Sequence, residues 1–410
     1  MSKSYLRYRL QQNISYIDNS VQLLNLKKKH EIFFYTSLFL SSYFLAHFSF
    51  AQTDSLAISV PTTTITEETQ NSSFGVERLK LSGYLETYYV YDFDEPKNHV
   101  RPDFLYSFNR HNEVALNFGF IQAEYERGRV RGKLALMTGS YANANLAAEK
   151  GVLKNIFEAN AGVKLSSTKN IWLDAGIFVS HIGFESAIGQ DCWNMTRSLL
   201  AENSPYYLSG VKISYTSDNE KWFLSGLLVN GWQRIQRVDG NQTPAFGHQI
   251  TYMPNEKITL NSSSFIGNDY PEDEKKMRYF HNFYVQMQLT EKFGLIAGFD
   301  IGAEQKETES SECNTWYSPV LIARLGLSDK INLAGRIEYY SDENGVIIGT
   351  ETPNGFQTFG YSINLDYMVT PTVWCRIEGR TFNSQDEIFI KNNKTLTTNT
   401  FLGTSLSVRF

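Results

Sequence analysis

The stretch Leu79-Lys80-Leu81-Ser82-Gly83-Tyr84-Leu85-Glu86 changes character at every step, with Lys80, Ser82, Tyr84 and Glu86 on one side and Leu79, Leu81, Gly83 and Leu85 on the other. A period of two belongs to an extended strand whose faces meet different surroundings. The same alternation returns around Glu113–Phe118, Asn282–Leu289, Leu333–Tyr339 and Cys375–Arg380. Sustained apolar spacing at i, i+3, i+4 and i+7 is missing throughout, so few helices are expected. About sixteen strands, within a range of roughly 14–18, can be counted, each near the ~9–11 residues that a tilted membrane strand needs.

The connections decide between architectures. Short polar turns fall at Arg127-Gly128, Ser166–Asn170, Ser217–Lys221, Pro254–Lys257, Thr290–Lys292, Ser328–Lys330 and Thr370-Pro371. Between them lie longer irregular stretches at 92–109, 142–151, 181–204, 233–243, 267–278, 304–315, 341–356 and 383–397. Short and long alternate strictly. A soluble sandwich has no need of that order, whereas a transmembrane antiparallel β-barrel sets tight periplasmic turns at one end and long extracellular loops at the other. Beginning and ending on the periplasmic side also requires an even number of strands. The chain closes on Leu406, Val408 and Phe410, apolar at every second position. A last strand ending in an aromatic residue is the signal that the barrel-insertion machinery of Gram-negative bacteria reads.

The one long apolar run, Ile32–Ala51, follows Lys27, Lys28 and Lys29 and closes on Ser49-Phe50-Ala51. Basic, apolar and small residues in that order are those of a secretory signal cleaved after Ala51; a membrane anchor is the alternative, since the run approaches the ~20 residues of a spanning helix. The domain plan is therefore an N-terminal extension with signal peptide at 1–51, a Thr/Ser/Glu-rich leader at 52–77 and an all-β barrel at 78–410. No second apolar run is long enough for a spanning helix. Only a closed barrel could then cross the bilayer, because lipid leaves no partner for an open sheet edge.

Composition narrows the function. Aromatic residues make up 14% of the chain, in keeping with the girdles of membrane barrels. A net charge of −5 lacks the basic footprint of a nucleic-acid binder. Three cysteines cannot all pair within one chain. Cys192 and Cys313 both fall in expected loops, where a loop-to-loop disulfide is one reading; Cys375 is expected to face lipid. No H-E-x-x-H, phosphate loop or clustered metal ligands occur, so no metal, no cofactor and no catalytic residue is assigned. His281, beside Asn282, is the strongest candidate for a Ser/His hydrolase at the lipid boundary, and a merely polar interfacial residue is the simpler account.

The segment Cys192-Trp193-Asn194-Met195-Thr196-Arg197-Ser198 with Ser204-Pro205-Tyr206-Tyr207, the opening strand Gly83–Tyr89 and the stretch Phe108–Asn112 resemble the OmpL-like β-barrel porins common in Bacteroidetes. The resemblance covers residues 78–410 and implies an outer-membrane location and a porin role, without a named solute. Small hydrophilic solutes, outer-membrane lipid and lipopolysaccharide are the expected partners, and the class is compatible with a homo-oligomer.

On a barrel the charged face must point into the lumen, because charge toward lipid costs roughly 2–4 kcal/mol at the midplane. That places Lys80, Glu86, Glu113, Lys133, Lys164, Asp174, Lys212, Asp300, Arg324, Arg336, Glu338, Asp366, Arg376, Glu378 and Arg380 inside, either tuning a water path or pairing across strands. The third loop, 181–204, is the longest and the candidate constriction. Folded inward, it would project Arg197, Glu185 and Glu202 into the channel, with Trp193–Glu202 as a short helix capped near Asn194 or Asp191. Lying outward, it would belong to a non-conducting barrel that binds a ligand or partner through its surface loops.

Overall fold

In the computed structural model, which describes residues 79–410, the alternating stretch that opens the barrel is β1, Leu79–Asp92. Tyr84, Glu86, Tyr88 and Val90 are buried on its inner side, while Leu79, Leu81 and Leu85 are exposed on the outer one. The signal peptide, its cleavage after Ala51 and the leader lie outside the described residues.

Fourteen further strands follow as successive antiparallel hairpins: β2 Val114–Arg127, β3 Val130–Thr138, β4 Ile156–Lys164, β5 Asn170–Val179, β6 Tyr207–Thr216, β7 Trp222–Val229, β8 Ala245–Asn255, β9 Ile258–Asn268, β10 Met277–Gln288, β11 Phe293–Gln305, β12 Cys313–Ser328, β13 Ile331–Asp342, β14 Phe356–Thr370 and β15 Val373–Ser384. A small hairpin, β16 Phe389–Lys391 and β17 Lys394–Leu396, decorates the last loop, and β18 Thr398–Arg409 returns to pair with both β15 and β1. Sixteen strands thus close the barrel, as expected, and short turns alternate with long loops in the expected order, the first loop running on to Glu113. At the seam Tyr84 pairs with Arg409 and Asp92 with Phe401. Phe410 exchanges backbone hydrogen bonds with Gly83, and its ring lies over Gly83, 2.5 Å from where a β-carbon would be, so a larger residue there would push the ring aside.

The outer face is apolar, with Leu134, Ile337, Ile363 and Leu402 exposed around the middle of their strands. Aromatic rings mark its borders. Tyr317, Tyr339 and Phe359 lie in sequence across β12–β14 toward the loop end, and Trp222 stacks on Tyr252 at 4.2 Å near the turn end. One outward patch breaks the pattern. His248, Ser262, Ser264 and His281 meet across β8–β10, where His248 Nδ1 lies 2.6 Å from Ser264 Oγ and His281 Nε2 lies 2.9 Å from Ser262 Oγ. Mutual hydrogen bonding lowers the cost of placing these groups toward hydrocarbon.

The inward and outward assignments make a direct test. Ile363→Arg, outward on β14, is expected to lower unfolding stability in urea by about 2–4 kcal/mol. Gln249→Arg, inward on β8, should change it by much less in the same titration.

Candidate functional site

Inside the barrel the connection between β5 and β6 (180–206) turns inward and runs along the wall formed by β12–β15, β18 and β1. Its polypeptide is held there by the charges that strand parity points inward. Arg376, paired with Asp366 at 2.6 Å, donates to the carbonyls of Gly189 at 2.7 Å and Cys192 at 2.9 Å. Arg336 donates to the Thr196 carbonyl at 2.7 Å and Arg380 to the Arg197 carbonyl at 2.8 Å. The carboxylates take the amides: Glu378 accepts from Thr196 N and Glu338 from Leu199 N, each at 2.6 Å. Asn364 accepts from Met195 N, and Gln190 reaches the carbonyl of Thr372 in the last periplasmic turn. The loop therefore descends most of the barrel's height.

Because its amides and carbonyls are taken by the wall, this segment cannot form the helix expected over Trp193–Glu202. A single turn survives at Leu199–Glu202, capped by Ser198, whose side chain accepts from Ala201 N, and not by Asn194 or Asp191.

The candidate constriction residues take up internal positions. Arg197 is 1% exposed and donates to the carbonyls of Ser186, Ala187 and Met195, stapling the two limbs of the loop together. Glu185 accepts from Ser198 N at 3.0 Å. Glu202 accepts from Tyr106 N at 2.9 Å and Ser107 N at 3.1 Å, tying the first loop (93–113) to the third. Burial holds its carboxyl above the ordinary range, against the lowering effect of the Ser107 hydrogen bond and the Arg197 charge. Arg197 and Glu202 are enclosed and hold backbone, which corrects the expectation that they project into a channel. Glu185 also holds backbone but lines a cavity beside the loop.

The inner-wall charges divide in the same way. Arg336, Glu338, Asp366, Arg376, Glu378 and Arg380 face inward but are buried under the loop, so they anchor it instead of lining water. Asp300 is buried, accepts from Asn282 Nδ2 and lies beneath Gly183 N, which donates to Asn282 Oδ1. Arg324 stays partly exposed, its guanidinium 6.0 Å from the Trp193 ring. Glu113 is a correction, since it precedes β2 at the loop rim and pairs there with Arg110 at 2.6 Å.

A Cys192–Cys313 disulfide, left open by the sequence, does not form. All three cysteines are free; Cys313 begins β12, whereas Cys192 lies inside with the loop, where its sulfur accepts from Ser186 N. Burial pushes the Cys192 thiol up to about 11, which keeps it protonated.

On the opposite wall the inward charges keep contact with open space. Lys133 bridges Glu124 at 2.7 Å and Glu158 at 3.3 Å, with its side chain 30% exposed. Arg131 pairs with Asp174 at 2.5 Å and lies 4.2 Å over the Trp172 ring. Lys164 and Lys212 complete this ladder along β3–β6. Glu124, Arg131 and Glu158 were not singled out from the sequence, although Arg131 shares the parity of Lys133 and could have been found by it. A cavity of about 220 Å³ separates the third loop from β4 and β5, lined in part by Phe157, Glu185 and Tyr206. Glu185 Oε1 and the Tyr206 hydroxyl have no hydrogen-bond partner. At the loop end, Phe104 and Phe108 of the first loop, Trp232 of the fourth, and Phe389 of the eighth pack with Phe265, Trp316 and Phe356 of the wall into an aromatic roof.

Residues 78–410 match the model of the family described as "Putative beta-barrel porin-2, OmpL-like". The chain belongs to that family. It is an outer-membrane barrel protein of porin type. No curated protein matches it in sequence. Among solved structures it resembles the anion-selective porin of Comamonas acidovorans, with TM-score 0.54 and 6% identity over 81% of this chain and 99% of that one. The outer membrane channel DcaP of Acinetobacter baumannii gives TM-score 0.54 and 10% identity over 81% and 97%. In-vitro folded OmpT of Vibrio cholerae, in its trimer form, gives 0.53 and 9% over 81% and 99%. At such identities the likeness is one of fold.

The outward Ser/His patch brings two hydroxyl–imidazole contacts together without a carboxylate. The amides around it lie within the register of β8–β10, where the ladder engages them, so it lacks the free N–H pair that would stabilise an oxyanion.

The anchoring of the third loop can be broken at one residue. Arg376→Met leaves Asp366 buried without its charge partner, a cost of about 3–5 kcal/mol, and frees three loop carbonyls, those of Gly189, Cys192 and Asn194. Trypsin is expected to cut after Arg197 in this variant while leaving the parent intact under the same conditions. Fragment masses read the result.

Proposed function

We propose that this protein is a passive outer-membrane channel for small hydrophilic solutes, without catalytic activity, in which the third loop is a fixed partition narrowing the lumen. In this reading the chain is exported, its signal peptide is removed after Ala51, and residues 52–77 remain in the periplasm. Insertion proceeds through the terminal strand, and lipopolysaccharide surrounds the loop end. By analogy with the trimer form named for OmpT, the working unit is a homo-oligomer.

The observation that carries this reading is the asymmetry of the interior. One wall has its charges consumed by the loop; the other keeps a partly hydrated ladder of Arg131, Lys133, Lys164 and Lys212 facing Glu124, Glu158 and Asp174. The cavity beside Glu185 and Tyr206 is the narrow segment of the route. Glu185 and Tyr206 give it a polar lining, and the space holds several water molecules at ~30 Å³ each. With Arg324 added, the ladder carries an excess of cations, so weak anion preference is expected.

The aromatic roof favours a second reading, a sealed barrel that binds through its loops. Planar-bilayer recordings on the refolded mature chain separate the two. Stepwise currents that scale with salt, with a reversal potential favouring chloride, are expected of the channel. The double variant Lys133→Glu/Lys212→Glu should turn the preference toward potassium, and Tyr206→Ala should enlarge the steps. Folded barrels that insert but stay silent would defeat the channel and leave the sealed barrel.

A further inference from the structure

The first, seventh and eighth loops (93–113, 343–355 and 385–397) enclose a cavity of about 880 Å³ at the loop end of the barrel. That lies within the ~300–1,000 Å³ of small-molecule sites. Its floor is built from buried polar side chains that hold one another in place. Asn399 Nδ2 donates to Asp92 Oδ1 and Asp94 Oδ2, both at 2.8 Å. Arg101 donates to Asp92 Oδ2 at 3.2 Å and to the Phe108 carbonyl at 2.9 Å, with its guanidinium 3.7 Å over the Phe401 ring. Asn203, from the third loop, donates to the Leu199 carbonyl at 2.9 Å.

Three atoms of this floor have no hydrogen-bond partner: Arg101 Nη2, Asn399 Oδ1 and Asn203 Oδ1. Their residues are 2%, 1% and 7% exposed, and all three line the cavity. Buried polar groups are ordinarily paired, so the floor suits a ligand that supplies both acceptors and donors. A bare cation leaves the guanidinium unmet. An anion finds the amide oxygens repulsive and meets Glu95, Asp103, Glu351 and Glu387 at the rim, opposed mainly by Lys97. Hydroxyl groups meet both demands, because each donates and accepts. Ile347 and Ile388 supply an apolar side against which the C–H face of a sugar ring can lie.

We propose that this cavity is a binding site for an uncharged saccharide, recognised by the Arg101, Asn203 and Asn399 floor. The site is separate from the solute path and is open to the medium beyond the loops.

Saturation-transfer NMR on the refolded mature chain in an amine-oxide detergent, free of sugar headgroups, tests it. The probes are maltotriose, cellotriose and chitotriose, with trigalacturonate as the anionic comparison. At least one neutral trisaccharide is expected to bind saturably and more tightly than trigalacturonate. Binding should weaken about tenfold in Asn203→Leu, which removes a buried acceptor. Thr350→Trp should abolish it by filling the rim without touching the floor, and heat-dependent gel migration verifies that each variant is a folded barrel. The proposal fails if none of the neutral sugars binds, if trigalacturonate binds as tightly, or if Thr350→Trp binds like the parent.

Discussion

Hydrocarbon offers no hydrogen-bond partner to a peptide group, and that single constraint organises this molecule. It is met at the seam, where β1 pairs with β18 and no edge is left open. Once the seam is closed, the pleat decides the direction of every side chain, and a slip of one residue would exchange the two faces. The apolar belt, the aromatic borders and the inward charges all follow from that closure.

The charges inside then face a second problem. Ion pairs taken out of water lose more in hydration than they regain by attraction unless further hydrogen bonds satisfy them. The pairs formed by Arg336, Glu338, Arg376, Glu378 and Arg380 find those bonds in the backbone of the third loop. The exchange is mutual. A loop with hardly any regular structure of its own brings unpaired amides and carbonyls into the interior, and the wall replaces the ladder or helix that would otherwise satisfy them. The segment is irregular over most of its gripped length and keeps only short helical turns, at Gly189–Asp191 and Leu199–Glu202.

Much of the fold was legible because the signals are local. Parity tells inside from outside, and interruptions such as Arg127-Gly128 and Thr370-Pro371 mark the turns. The site was legible only in part. Parity correctly sends Arg336, Arg376 and Arg380 inward but cannot say that a segment about 180 positions away along the chain will cover them, as the Arg376–Gly189 contact does. Glu113 was misplaced because the alternation was counted back past Val114, where β2 begins. Cys192 resembles Cys313 in sequence context, yet the inward course of its loop separates them. The charge-stabilised cavity beneath the outer loops had no sequence signature, since Arg101, Asn203 and Asn399 come from three separate connections and strand ends.

The grip on the third loop also ties two distant parts of the sheet into one mechanical unit. Residues 180–206 hang from β5 and β6, yet the partners that fix them are Arg336, Arg376 and Arg380 on β13 and β15. A load that spreads the far wall therefore strains the hydrogen bonds of the loop as well as those of the sheet. The partition is a cross-brace of the barrel as much as an obstacle inside it.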